Sequence, residues 1–114
     1  MKQTETFHML SDETRLRALA LMERVGEMCV CELVYALELS QPKISRHLLA
    51  LRDAGFVLSS RQAQWVFYSI NPDLASWQRQ ALLAAMEGIK NDLTIKQDRQ
   101  RLSQMKDRPQ RHAA

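Results

Sequence analysis

The sequence predicts a mainly α-helical domain carrying one β-hairpin (α+β), and three observations predict it. Apolar residues recur at helical spacing up to Ala54 and again beyond Asp73. Between those stretches the period changes: Phe56-Val57-Leu58 and Trp65-Val66-Phe67-Tyr68-Ser69-Ile70 are rich in strand formers and flank a polar tip, Ser59 to Gln64. Only 3 Gly and 3 Pro occur among 114 residues, so long helices meet few interruptions.

Each element has its own justification. Thr4 to Leu10 places Phe7 and Leu10 at helical spacing, and Ser11 with Asp12 caps a second helix that runs to about Arg24. In that helix Leu16, Leu19, Ala20 and the stem of Glu23 share a face, which Ala18, Leu21 and Met22 widen; Gly26 ends it. A third helix, Cys29 to about Glu38, brings Leu33, Ala36 and Leu37 to one side. Ser40 is the N-cap of a fourth, Gln41 to Ala54. There Ile44, Leu48 and Leu51 recur at i, i+4 and i+7, and Pro42 sits in the first turn, where its missing N–H costs little.

Asn71-Pro72 marks the exit from the hairpin, and a long helix is expected to follow. Leu74, Trp77, Ala81, Leu82, Ala85, Met86, Ile89 and Leu93 trace a continuous apolar stripe along it. The first 70 residues offer too small a core to cover such a stripe, so the expected partner is the last and first helices of a second subunit. From Lys96 to Arg111 there are six Lys or Arg, two Asp and Pro109, the pattern of a fraying helix and then a basic, mobile tail. The expected organisation is a domain over residues 1–95 and a tail over 96–114.

Bulk charge is a weak guide. Sixteen Lys and Arg against thirteen Asp and Glu give +3, and the pI is near 9.1, which suits a polyanionic partner without requiring one. No run of 18 apolar residues occurs, and MKQTETFHML is too polar for a signal peptide, so a cytoplasmic protein with no membrane partner is expected. Three scattered histidines, with no nucleophile elbow, give an enzyme nothing to work with.

The order of elements is more specific. Two short helices joined by a tight turn and followed by a hairpin form the layout of a winged helix-turn-helix, whose second helix enters the DNA major groove. Gln41, Ser45 and Arg46 then offer an amide, a hydroxyl and a guanidinium to base edges or phosphates. Lys43 and Arg52 add charge for the backbone, and Arg61 and Gln64 in the hairpin tip reach toward an adjacent groove. A two-fold homodimer would present two such helices to an inverted-repeat operator in double-stranded DNA. Taken alone, the same residues read equally well as the solvated face of an amphipathic helix.

Cys29 and Cys31 are the only cysteines. A Cys-x-Cys pair in a reducing compartment offers two soft donors, suited to thiophilic ions such as arsenite, antimonite, lead or cadmium. The same pair could instead work as a redox or reactive-sulfur switch, or simply fill space. Residues two apart on a regular helix point roughly 200° apart, so holding one ion would require the start of the third helix to unwind.

The stretch LSQPKISRHLLALRDAGFV, residues 39 to 57, together with Leu10-Ser11-Asp12-Glu13-Thr14-Arg15-Leu16-Arg17, closely resembles the ArsR/SmtB family of metal-responsive bacterial repressors. The resemblance spans most of residues 7 to 70. It implies a transcriptional repressor that dimerises through its first and last helices, with DNA contacts at Gln41, Ser45 and Arg46 and a packing role for His47. Glu27-Met28-Cys29-Val30-Cys31-Glu32-Leu33 is similar to the metal box of arsenite-responsive members, where a third cysteine often lies three residues further on; here that place holds Val34. The implied inducer is trivalent arsenic, as arsenite or a methylated arsenical, or antimonite. Two thiols would leave the third position to hydroxide, a small cellular thiol or a methyl group. An inter-subunit zinc site found in some relatives is not expected, because Ala75 stands where a His would follow Asp73, and the only later His is His112.

Overall fold

The structure is a computed structural model that describes residues 2–109. Its elements are α1 Gln3–Met9, α2 Glu13–Val25, β1 Met28–Cys29, α3 Val30–Leu37, α4 Gln41–Asp53, β2 Val57–Gln62, β3 Trp65–Ile70, α5 Ser76–Ile89 and α6 Leu93–Gln104. Local chemistry sets the boundaries. The Asp12 carboxylate accepts the Arg15 N–H at 3.0 Å to start α2, and Gly26, at φ +95, ends it. Ser40 accepts the Lys43 N–H at 3.3 Å to open α4, and the chain turns out of that helix at Gly55, φ +82.

One hydrophobic core joins these helices to the sheet. Leu19, Leu33, Ile44, Leu48, Leu51 and Phe56 are all essentially inaccessible. In α4 the buried residues are Ile44, Leu48 and Leu51, which leaves the opposite face free. In α2 the buried apolar set is Ala18, Leu19, Leu21 and Met22, with Leu16 and Ala20 half-buried and Glu23 exposed; the core face is therefore rotated from the one expected. In α1, Thr6 and Met9 face inward and Phe7 is 57% exposed.

The sheet is larger than a hairpin. Its three antiparallel strands lie in the order β1-β3-β2, with Met28 opposite Tyr68 and Cys29 opposite Phe67. A strand of two residues has no alternation to read, so the pattern assigned Cys29 to a helix. The wing strands also run further than expected: Val57 to Gln62 pair with Ile70 to Trp65, which reduces the turn to Ala63-Gln64. Arg61 therefore lies on β2, opposite Val66, and not in the tip. A wing standing clear of the core can carry polar residues and still keep its ladder of backbone bonds.

The long last helix is in fact two. It breaks after Ile89, and Asp92 becomes the N-cap of α6. Leu82 and Met86 of the expected stripe reach the core, whereas Leu93 is 70% exposed. The division expected between residues 95 and 96 falls inside α6, whose Ile95, Asp98 and Leu102 are buried. Residues 110–114 of the expected tail lie outside the described residues. Among the described residues no helix is long and apolar enough to cross a membrane.

Together with Arg17 of α2, the segment from α6 to Pro109 grips α3 at both ends. At its C-terminus Arg17 donates to the Leu37 carbonyl at 2.8 Å and Arg101 to the Ala36 carbonyl at 2.7 Å. Both guanidiniums also bond the Asp98 carboxylate, which is only 1% exposed, at 2.7 to 2.9 Å. These contacts place positive charge at the negative end of the helix dipole. The side-chain hydrogen bond to Asp98 raises the Arg17 pKa above its ordinary value, more than burial lowers it. At the N-terminus of α3, Arg108 ion-pairs with the fully buried Glu32.

Candidate DNA interface and thiol site

The first turn of α4 carries the residues read as DNA contacts. Gln41 and Arg46 are exposed, Lys43 and Ser45 half-buried, and the Gln41 amide donates to the Ser45 hydroxyl at 2.8 Å. Burial of Ile44, Leu48 and Leu51 on the other side fixes the rotation that turns this polar face outward. Arg61 and Gln64 are exposed on the wing, and Arg52, further along α4, is paired with Asp53 at 3.3 Å.

Behind α4, His47 is half-buried, with Nδ1 3.2 Å from the Arg15 guanidinium and 3.8 Å from the Asp12 carboxylate. Burial lowers its pKa below the ordinary 6.5; Arg15, Arg46 and Lys43 push the same way, and Asp12 opposes them. A neutral ring with an acceptor at Nδ1 suits the Arg15 donor. Arg15 itself is buried and also donates to the Met9 and His8 carbonyls at 2.9 and 2.8 Å, so it ties the end of α1 to α4. The His8 side chain lies exposed on α1.

The cysteines are arranged differently from the expectation for a regular helix. Cys29 ends β1 and is the N-cap of α3, with φ −72 and ψ 148, while Cys31 lies in the first turn. The backbone bend brings the two sulfurs together, and the Cys31 thiol donates to Cys29 Sγ at 2.9 Å. Two sulfurs on one ion at about 2.3 Å each cannot be more than about 4.6 Å apart, and these fall within that reach. No unwinding is needed to bring them together. Cys29 is buried and Cys31 half-buried; burial, the hydrogen bond with Cys29 and the nearby Glu32 push the Cys31 thiol up to about 12.

Sequence reasoning missed the groups that hold this pair. Glu32 accepts the Cys29 N–H at 2.8 Å, in the manner of a capping box whose first residue is Cys in place of Ser or Thr. The spacing Cys29-x-x-Glu32 was the available signal. Glu27, just upstream, accepts from Gln62 at 3.0 Å and Ser60 at 3.3 Å, which fastens the wing to the thiol segment.

The thiols and the polar face of α4 share one cleft of about 360 Å³. Cys29, Val30 and Cys31 line one side, Gln41, Ser45 and Leu49 of α4 another, and the wing closes it with Gln64, Trp65, Val66 and Tyr68. Neither the cleft nor the role of Trp65 could be read from spacing, because three distant segments build it.

Comparison with known proteins agrees with this geometry. Residues 12–59 match the family described as "Bacterial regulatory protein, arsR family". The chain is 46% identical over 104 residues to the arsenic resistance transcriptional regulator ArsR1 of Pseudomonas putida, covering 91% of this chain and 80% of that protein. It is 48% identical over 107 residues to ArsR2 of the same strain, covering 94% and 91%. Among solved structures, the AntR antimony-specific transcriptional repressor superposes with a TM-score of 0.63 at 26% sequence identity, over 75% of this chain and 74% of that one. The winged helix-turn-helix is thus a DNA-binding module here, and the chain belongs to the arsR family of bacterial regulatory proteins.

Proposed function

We propose that the protein is a homodimeric cytoplasmic repressor that holds an inverted-repeat operator with α4 and the wing, and leaves it when trivalent arsenic bonds to Cys29 and Cys31. The observation that carries this is the shared cleft: the thiol pair forms one wall and Gln41 and Ser45, the proposed base-reading residues, another. The relatives named for arsenic resistance support the choice of ion. Phe7, Trp77 and Leu83, exposed on α1 and α5, support a dimer through those helices.

Arsenous acid and two thiols condense without any change of oxidation state. Two S–H and two As–OH bonds break, two As–S bonds form, and two waters leave. The ligand then occupies space against α4 and the wing. A form of the protein that binds it better than DNA is populated at the expense of the DNA-bound form. Release therefore needs only a shift of α4 or the wing relative to α3.

The test is fluorescence anisotropy of promoter DNA bound to the full chain, titrated with arsenite, antimonite, cadmium and an oxidant. Arsenite is expected to release the wild type and to leave Cys29→Ser and Cys31→Ser on the DNA. Release by oxidant alone would favour a thiol redox or reactive-sulfur switch, which draws on the same 2.9 Å approach of the sulfurs. Absence of DNA binding would overturn the whole reading.

A further inference from the structure

We propose that the cleft beside the thiols accepts an apolar organic group on the bound arsenic, so that the preferred ligands are mono-organyl arsenicals, aryl above methyl, over arsenous acid. This rests on the arsenic reading above and names the ligand class for the same site. Trivalent arsenic takes three bonds, and one subunit supplies two sulfurs. Among the described residues no group of three His, Cys, Asp or Glu is placed to hold a metal ion. The third substituent thus comes with the ligand.

The surroundings select its chemistry. Next to the sulfurs the cleft presents Val30, Leu49, Trp65 and Val66, an apolar wall that a hydroxide would leave uncovered. Its volume of about 360 Å³ is far more than a hydroxide requires: a water takes about 30 Å³ of liquid, and a dry cavity of about 150 Å³ holds benzene. Leu49 is 40% exposed on the recognition helix, where solvent contact with an apolar side chain gains nothing. Trp65, which also lines the cleft, is an aromatic side chain against which a ring can pack. On the polar side, Gln41 and Ser45 already hydrogen-bond each other at 2.8 Å, which lets them lie against a ring. Condensation of R–As(OH)2 with the thiols forms two As–S bonds and releases two waters, and the As–C bond is untouched.

The experiment follows tryptophan fluorescence of the DNA-free full chain during titration with arsenous, methylarsonous and phenylarsonous acids. Dithiothreitol is the competitor, so that the intrinsic preference of any dithiol cancels. Trp65 lines the cleft, and its emission reports occupancy there, whereas Trp77 lies on α5 as a constant background. The phenyl compound is expected to be favoured over arsenous acid by about tenfold or more beyond the preference of dithiothreitol. Val30→Phe, which fills the cleft, and Leu49→Ser, which removes apolar surface, should each bring that ratio back toward the dithiothreitol value. A wild-type ratio equal to that of dithiothreitol, or one unmoved in both variants, overturns this inference alone. If no arsenical protects Cys29 and Cys31 from alkylation, the arsenic reading fails and takes this inference with it.

Discussion

Two consecutive helices, α3 and α4, start in opposite ways. The N-terminus of α4 is open to solvent: Ser40 caps it, Gln41 and Pro42 are exposed, and its polar atoms face outward where DNA would lie. The N-terminus of α3 is enclosed. Cys29 is 2% exposed, Glu32 fully buried, and a residue from the far end of the chain, Arg108, neutralises that carboxylate. In the proposed function one helix start would meet a large polyanion from solvent, and the other would hold a small ligand against the fold. The cleft is lined by both, Cys29, Val30 and Cys31 on one side and Gln41 and Ser45 on another, so an occupant of the second would press on the first.

This contrast predicts unequal costs when each start is damaged. Glu32→Ala should have the largest effect, about 2 kcal/mol or more lost in chemical denaturation, because it removes a fully buried carboxylate from its pair with the part-exposed Arg108 and orphans the Cys29 N–H. Glu32→Gln, which can still accept that N–H, should lose less. On the open side, Arg46→Ala should weaken DNA binding by about tenfold, 1.4 kcal/mol, and lower the salt dependence of log K by about one unit, with the melting temperature almost unchanged. Ser40→Ala should cost about 1 kcal/mol of stability, the usual value of a lost N-cap. If Glu32→Ala proves no worse than Ser40→Ala, the two helix starts do not differ in the way described.

How far the sequence could be read follows the same division. The α4 face was legible because one helix carries all its information: Ile44, Leu48 and Leu51 fix the buried side, and Gln41, Ser45 and Arg46 fall opposite. The thiol pair was legible as chemistry but not as geometry. Its sulfurs meet because Met28 and Cys29 pair with Tyr68 and Phe67, a contact across 40 residues that no local period encodes. The break between α5 and α6 is a further case. The apolar spacing continues through Ile89 to Leu93, yet Asn91-Asp92 stops the helix there, since short polar side chains compete for backbone partners. The contacts of Arg101 and Arg108 with α3 depend on that break, so the basic stretch read as a tail gave no hint of them.

The smallest expected effect concerns the seam joining α1, α2 and α4, and its sign follows from linkage. His47 has a pKa below its ordinary 6.5 in the fold, so above pH 6.5 it is neutral in both the folded and unfolded chains and its contribution is complete. As pH falls below 6.5 the unfolded chain takes up the proton first, and stability declines until the lower folded pKa has been passed. Asp12 acts in a second, more acidic window. Burial raises its pKa, but the Arg15 N–H and the charges of His47 and Arg15 outweigh that and hold it below 3.8, so its contribution is lost as pH falls from 3.8 through that lower value. Melting temperatures measured from pH 8 to pH 3 should therefore show two acid steps. His47→Gln, which keeps an acceptor for Arg15 and removes the titration, should flatten the first step and shrink the second without abolishing it, because the Arg15 N–H and charge still lower the Asp12 pKa. Persistence of the first step in that variant would move the titrating group away from the back of the recognition helix.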